Sequence, residues 1–319
     1  MKMSLLRPLC AAAALFFACA AAAAYPDKPI SLVVPFAPGS ATDSVGRIVA
    51  DGLSKRLGQV VIVESKPGAT GRIGTDYAAR AAPDGYTLLM ATSGILAVNP
   101  ALHKDISYDA SRDFAPVLLV GEVPFALVVN NELPVDSVQQ LIDHANTVNK
   151  ELFFAYASPT AQVASEIFIR DANFDAIGVS YKSSPNAALG LISNETQFYF
   201  IDFGTGLGHI RNNKVRALAV AGEPSRLLPD VPPLSATVPG FSITSWNGIL
   251  VPAGTPPDVV MKLNEALRAV LNDPAVREKL GAIGFEVAGD GSPDDFAKLI
   301  NSDVQRWRDW IAALNIRAP

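Results

Sequence analysis

The sequence predicts an α/β chain of two units, one built from both chain ends and the other inserted between them. Short β-rich apolar runs alternate with helical patterns almost throughout, the order that gives parallel strands with crossover helices. The alternation pauses at the long run Phe114–Val129 and restarts beyond it. A second crossing follows Leu227–Gly240, where Pro229, Pro232, Pro233 and Pro239 mark a long loop or crossing segment. At 319 residues, 49% of them hydrophobic, the chain is long enough for two domains with real cores. Its 26 Lys and Arg against 31 Asp and Glu leave a net charge of −5, the wrong sign for a nucleic-acid binder.

Taken in order, residues 1–24 read as an export signal. Lys2 and Arg7 precede the uncharged run Leu9–Ala24, and Ala22-Ala23-Ala24 before Tyr25 supplies the small residues of a cleavage site. The run is too short for a spanning helix. Cys10 and Cys19 both lie within it, so a chain starting at Tyr25 has no thiol for a disulfide, a nucleophile or a metal. Phe16-Phe17-Ala18-Cys19 keeps lipoprotein processing open as the alternative.

Ile30–Phe36 then predicts a buried strand. Asp43–Leu57 predicts a helix with Val45, Ile48, Val49, Leu53 and Leu57 at helical spacing and Thr42-Asp43 as caps. Val60–Glu64 is the next strand. The turn Gly68–Gly74 opens a helix ending near Ala82, and Pro83-Asp84-Gly85 turns into the strand Tyr86–Ala91. In the middle unit, strands are expected at Leu152–Tyr156, Ile177–Tyr181, Gln197–Asp202 and Val215–Val220. The helices between them are Asp136–Asn146, Thr160–Asp171 and Ser184–Ile192. A last strand, Trp246–Val251, precedes helices Pro256–Leu271, Pro274–Ala282 and Pro293–Leu314. The stripe Phe296, Leu299, Ile300, Val304, Trp307, Trp310 and Ile311 on the final helix reads as core packing.

Chemistry concentrates at the turn Pro35–Asp43. It offers backbone N–H groups and the hydroxyls of Ser40 and Thr42 at a helix start, where the helix dipole favours an anion. An ordinary turn with a capping residue fits the same spacing, and Asp43 fits either a cap or a partner for a ligand amino group. Gly68–Gly74 lacks the Lys-Ser/Thr of a phosphate loop, and Gly204–Gly208 lacks dinucleotide spacing, so both read as turns. His103, His144 and His209 have no metal-ligand spacing, and G-x-S-x-G is absent. No metal, cofactor or catalytic set is expected.

Several ordered motifs nevertheless cohere. They run from Tyr25-Pro26-Asp27-Lys28-Pro29-Ile30 and Val33-Val34-Pro35-Phe36 through Pro83-Asp84-Gly85-Tyr86 and Asn99-Pro100-Ala101-Leu102. They continue with Tyr181-Lys182, His209-Ile210-Arg211, Val215–Val220, Leu228–Pro232 and Ala253-Gly254-Thr255-Pro256. Together they resemble the extracytoplasmic receptors of tripartite tricarboxylate transporters, the Bug receptors. That resemblance implies a type II periplasmic-binding-protein-like architecture, with residues 25–122 plus 240–319 as lobe 1 and 123–239 as lobe 2. It implies a monomer in the periplasm that closes on a small organic carboxylate and passes it to membrane permease subunits. A receptor reporting to a membrane sensor and a periplasmic hydrolase are the alternatives. Hinges are expected near Val120–Phe125 and Pro239–Trp246.

Carried over by position, the ligand-binding residues are Phe36, Ser40, Ala41, Thr42 and Asp43, then Thr92, Ser93 and Gly94. On lobe 2 they are Ala157, Ser158, Pro159 and Thr160, then Tyr181 and Asp202. The loop Ala157–Gln162 is shorter and poorer in glycine than the resemblance implies. Thr42→Val is therefore expected to cost about 1–3 kcal/mol of affinity, and Ser158→Ala or Thr160→Ala each less than about 0.5 kcal/mol. Because the whole chain is acidic, attraction is expected from local donors, with only weak salt dependence.

Overall fold

The computed structural model describes residues 25–147 and 152–314. The expected export signal, with both cysteines, lies outside the described residues. Strands β1 (Ile30–Val34), β2 (Val61–Ser65) and β3 (Thr87–Thr92) form the first parallel unit, linked by α1 (Ala41–Leu57) and α2 (Arg72–Ala79). A wide π-type turn, Gly94–Val98, and the short α3 (Asn99–Leu102) follow. Gly94–Val98 carries no periodic signal of its own, since all five residues are apolar and buried.

The run Phe114–Val129 is one unbroken strand, β4, and it joins two sheets. Its first part pairs with β9 and its last five residues pair with β7 and β8. The middle of the chain supplies α4 (Val138–Thr147), β5 (Leu152–Tyr156), α5 (Pro159–Ala172), β6 (Ala176–Ser180), α6 (Ser184–Ile192), β7 (Phe198–Asp202), α7 (Phe203–Arg211) and β8 (Arg216–Val220). The chain then returns through β9 (Thr244–Pro252), α8 (Pro257–Leu271), α9 (Pro274–Ala282), β10 (Glu286–Val287) and α10 (Pro293–Leu314).

The first sheet has the order β2-β1-β3-β9-β4, with β10 against β4, and the second runs β6-β5-β7-β4-β8. The sheets are mixed rather than parallel throughout: β9 lies antiparallel between β3 and β4, and β4 is antiparallel to β7 and β8. Long strands that cross between units reverse direction relative to the βαβ strands beside them, which crossover helices alone would not do.

Each sheet has its own core. In the first, Leu32, Val34 and Met90 pack with Val45, Val49 and Leu53 of α1 and Leu263, Leu267 and Leu271 of α8. In the second, Phe168 meets Phe174, Phe198 and Phe200 edge to face at 5.3–6.1 Å between ring centres, a favoured aromatic geometry. α10 serves both. Phe296 and Ile300 pack beside Trp246 in the first unit, whereas Trp307 and Ile311 join the Phe-rich core. Trp246 Nε1 fixes the helix by donating to Asp303 at 2.8 Å.

Two local expectations change. The glycines of Gly204–Gly208 lie inside α7 rather than in a turn, and His209 sits in the last turn of that helix. Those glycines are needed for close packing: a Cβ on Gly206 would meet Ile201 at 2.7 Å. At α1 the cap is Ser40, whose hydroxyl accepts from the Asp43 N–H at 3.2 Å; Thr42 and Asp43 lie within the first turn.

Candidate ligand cleft between the lobes

The strand ends of both sheets point into one cleft, because each βα unit delivers its loop to the carboxyl edge of its strand. A small cavity of about 40 Å³ lies there. From the first lobe come Phe36, Ser40, Ala41 and Thr42 at the start of α1 and Thr92 at the end of β3. The second lobe supplies Ser158 and Thr160 from α5, Ser184 from α6 and Asp202 from α7. The crossing strands add Val123, Phe125, Ser245 and Asn247.

Four helix starts therefore converge. Ser40, Ser158, Ser183 and Asp202 are the N-caps of α1, α5, α6 and α7, and each accepts a hydrogen bond from the backbone of its first turn. Their partial positive ends and seven lining hydroxyls face a space whose wall holds no Lys, Arg or His. Asn247 Nδ2 is buried there and has no hydrogen-bond partner among the described residues. This arrangement recognises an oxyanion by dipoles and donors rather than by a countercharge. The one acid, Asp202, is spent partly on its helix, accepting from the Thr205 N–H at 2.7 Å. Burial pushes its carboxyl above the usual carboxylate range, against the opposing pull of that hydrogen bond.

The cavity gathers Phe36, Ser40, Ala41, Thr42, Thr92, Ser158, Thr160 and Asp202 of the residues expected from sequence. Others fall outside its wall. Asp43 is turned away from it. Its carboxylate holds Arg47 through two contacts of 2.9 Å, and it accepts from the Gly39 N–H at 3.0 Å and Ser65 Oγ at 3.2 Å. Four hydrogen bonds from three residues hold the Asp43 carboxylate, which shapes the turn at the start of α1. Ser93 bonds Ser245 at 2.8 Å behind the wall. Gly94 acts by what it lacks, since a Cβ would lie 3.0 Å from Thr160 Oγ1 across the cleft. Tyr181 belongs to a second, larger chamber, as does Ala157; Pro159 lines neither.

Ser158 and Thr160, expected to contribute little to ligand affinity, both line the cavity. The short loop leads directly into α5, whose cap Ser158 and first-turn Thr160, only 2% exposed, belong to the cavity wall. Sequence reasoning also missed Val123, Phe125, Ser184, Ser245 and Asn247. One signal was available: Ser245 and Asn247 are polar residues two apart opening an apolar strand, which puts both on one face.

The outer chamber, about 560 Å³, opens beside the cavity and shares Phe36 with it. Gly68–Arg72 and His103 form one side; Tyr156, Ala157, Gln162 and Ser180–Lys182 form the other. Gly71 must be glycine here, with a φ of +92° and space for a Cβ closed by Ile95 at 2.6 Å. Arg72 pairs with Asp105 at 2.7 Å. Burial, then the nearby Arg72, lowers the pKa of His103. Tyr181 donates to Glu195 at 3.0 Å and rests on Gly190.

Two α/β lobes closing over such a cavity define a bilobal solute-binding protein. The model for the tripartite tricarboxylate transporter family receptor matches residues 45–316, and the chain belongs to that family. The family is one of periplasmic solute-binding receptors, not of enzymes. A UPF0065 protein of Bordetella bronchiseptica is 36% identical over 302 residues, covering 93% of this chain and 89% of that one. BugT of Bordetella pertussis is 35% identical, covering 89% and 88%. Among solved structures, an R. palustris protein with adipate superposes with a TM-score of 0.88 at 31% identity, over 92% of this chain and 99% of that one. MatC from Rhodopseudomonas palustris, with bound malate, gives 0.85 at 30% identity, over 89% and 99%.

Proposed function

We propose that this receptor captures a small carboxylate-bearing solute in the inner cavity and delivers it, as a monomer exported by the segment 1–24, to the permease subunits of a tripartite transporter. The observation that carries the reading is the cationless cavity ringed by four helix starts and seven hydroxyls. About 40 Å³ holds roughly three water-sized groups, which suits the three heavy atoms of one carboxylate. Adipate and malate in the similar R. palustris proteins support the same solute class. In this reading residues 25–122 with 240–319 form one lobe and 123–239 the other, and the ligand-binding set is that of the cavity wall.

A thermal-shift screen over mono- and dicarboxylates tests it. A solute at 100 times its dissociation constant stabilises by about 2.7 kcal/mol, several degrees for a protein of this size. A screen in which sugars or polyamines shift the transition and no carboxylate does would overturn the proposal.

A further inference from the structure

A buried acid is an odd residue to find in a cavity built for an anion. Asp202 closes β7, lies in the cavity wall, and meets no Lys, Arg or His there. Its two oxygens are placed differently. Oδ1 caps α7 by accepting from the Thr205 N–H at 2.7 Å, whereas no N–H reaches Oδ2 within 3.5 Å among the described residues. The hydroxyls of Ser184 and Thr205 stand near enough to favour its charge, against burial, which disfavours it more.

The charges on the elements packed around Asp202 do not answer it either. Tyr199 on its own strand is buried and held neutral by burial and by Asp202 itself. On α1, Asp43 and Arg47 answer each other. α6 and β9 carry no titratable side chain, and His209 and Arg211 lie in the last turn of α7. Glu122 of β4 is exposed, and Glu166 of α5 lies well past the first turn of that helix. A solute carboxylate brought into about 40 Å³ must therefore sit close to Asp202 with no side-chain cation between them. Two carboxylates so close and out of water do not both stay ionised.

We propose that Asp202 holds a proton whenever the solute is bound: Oδ2 donates it to the solute's carboxylate, and each capture takes that proton from solution. Release of the solute returns it. This rests on the carboxylate-receptor reading above and adds to it a co-bound proton. Oδ1 keeps its bond to α7 throughout, so the helix cap and the proton do not compete. Charge is then balanced by a proton in a place where Arg or Lys would otherwise pair with the solute. An acid could instead pair with an ammonium group of the solute, but the four converging helix starts oppose a cation there.

The test is calorimetric titration of the full chain with acetate, benzoate, malate and adipate, in buffers of low and high ionisation enthalpy, from about pH 6.5 to pH 8.5. The difference between buffers counts the protons taken up. Wild type should take up a large fraction of one proton per solute and lose affinity by up to about tenfold per pH unit. Asp202→Asn retains a capping oxygen and supplies an N–H donor that needs no proton. It should bind with proton uptake near zero, an affinity flat across the range, and more tightly than wild type at the alkaline end. Wild type that binds with no proton uptake overturns the co-bound proton and leaves the carboxylate receptor standing. An Asp202→Asn chain that keeps the wild-type uptake does the same, as does one that is weaker than wild type at every pH, because the acid then serves a cation. Failure of every acid to bind overturns both.

Discussion

At the scale of single residues, the cavity works by donors whose alternatives have been removed. Thr42 and Thr160 are both buried, one from each lobe, and their hydroxyls face the same small space. Replacing either by Val keeps the shape and leaves a ligand oxygen without a partner, at a cost of about 1–3 kcal/mol, roughly five- to more than a hundredfold in affinity. Titration of Thr42→Val and Thr160→Val should therefore show losses of similar size. A silent Thr160→Val would restore the earlier expectation that the short lobe 2 loop stands apart. Asp202 gives a different test, through stability of the empty protein. Its folded pKa lies above the ordinary 3.8, so it favours folding most below that value and loses this contribution as pH rises through the folded pKa. Asn caps a helix as well as Asp does. Asp202→Asn should thus gain in urea midpoint relative to wild type between about pH 4 and pH 7, and a difference constant with pH would exclude the linkage. What sequence could not reveal at this scale is direction. Thr42 and Asp43 are neighbours in one turn, yet the helix points one into the cavity and the other at Arg47.

At the scale of elements, legibility followed local signal. The strand Leu152–Tyr156 and the helices Ser184–Ile192, Pro274–Ala282 and Pro293–Leu314 begin and end where periodicity and caps place them. The two-residue β10 and the turn Gly94–Val98 exist only through tertiary contacts, β10 by pairing with Gly121 and Glu122 of β4. Gly204–Gly208 misled because glycine weakens a helix, and here packing against Ala41 and Ile201 outweighs that preference. Caps can be separated from ligand contacts by experiment. Ser40 both caps α1 and lines the cavity. Ser40→Ala should lower stability by about 0.5–2 kcal/mol, while Ser40→Gly should cost only a few tenths, since glycine also caps. Both remove the same hydroxyl from the cavity wall. Urea unfolding should separate the two variants and ligand titration should not; equal stability of both would argue that the side-chain cap contributes little.

At the scale of the whole molecule, the contact between α1 and α7 is one that the lobes make through backbone. Gly204 of α7 lies so close to α1 that a Cβ there would sit 2.6 Å from Ala41 Cβ and 2.8 Å from its Cα. Neither helix backbone can yield by that much, so a methyl at Gly204 would act as a wedge between the lobes. The crossing strands connect them, with Pro124 of β4 beside Thr244 of β9 and the Ala221 N–H donating to the Phe125 carbonyl at 2.8 Å. A ligand favours the closed arrangement only by its differential affinity for that arrangement, which the wedge would remove. Gly208 lies on the same helix with open space around it, so Gly208→Ala is the matched control. Both variants should leave the empty protein folded, with Gly208→Ala unchanged or more stable by up to about 1 kcal/mol. Wild type and Gly208→Ala should show a smaller radius of gyration by X-ray scattering when a validated ligand is added. Gly204→Ala should show little contraction and bind at least about tenfold more weakly. If Gly204→Ala contracts and binds like its control, the contact between α1 and α7 is not what closure requires, and the cleft closes by some other path.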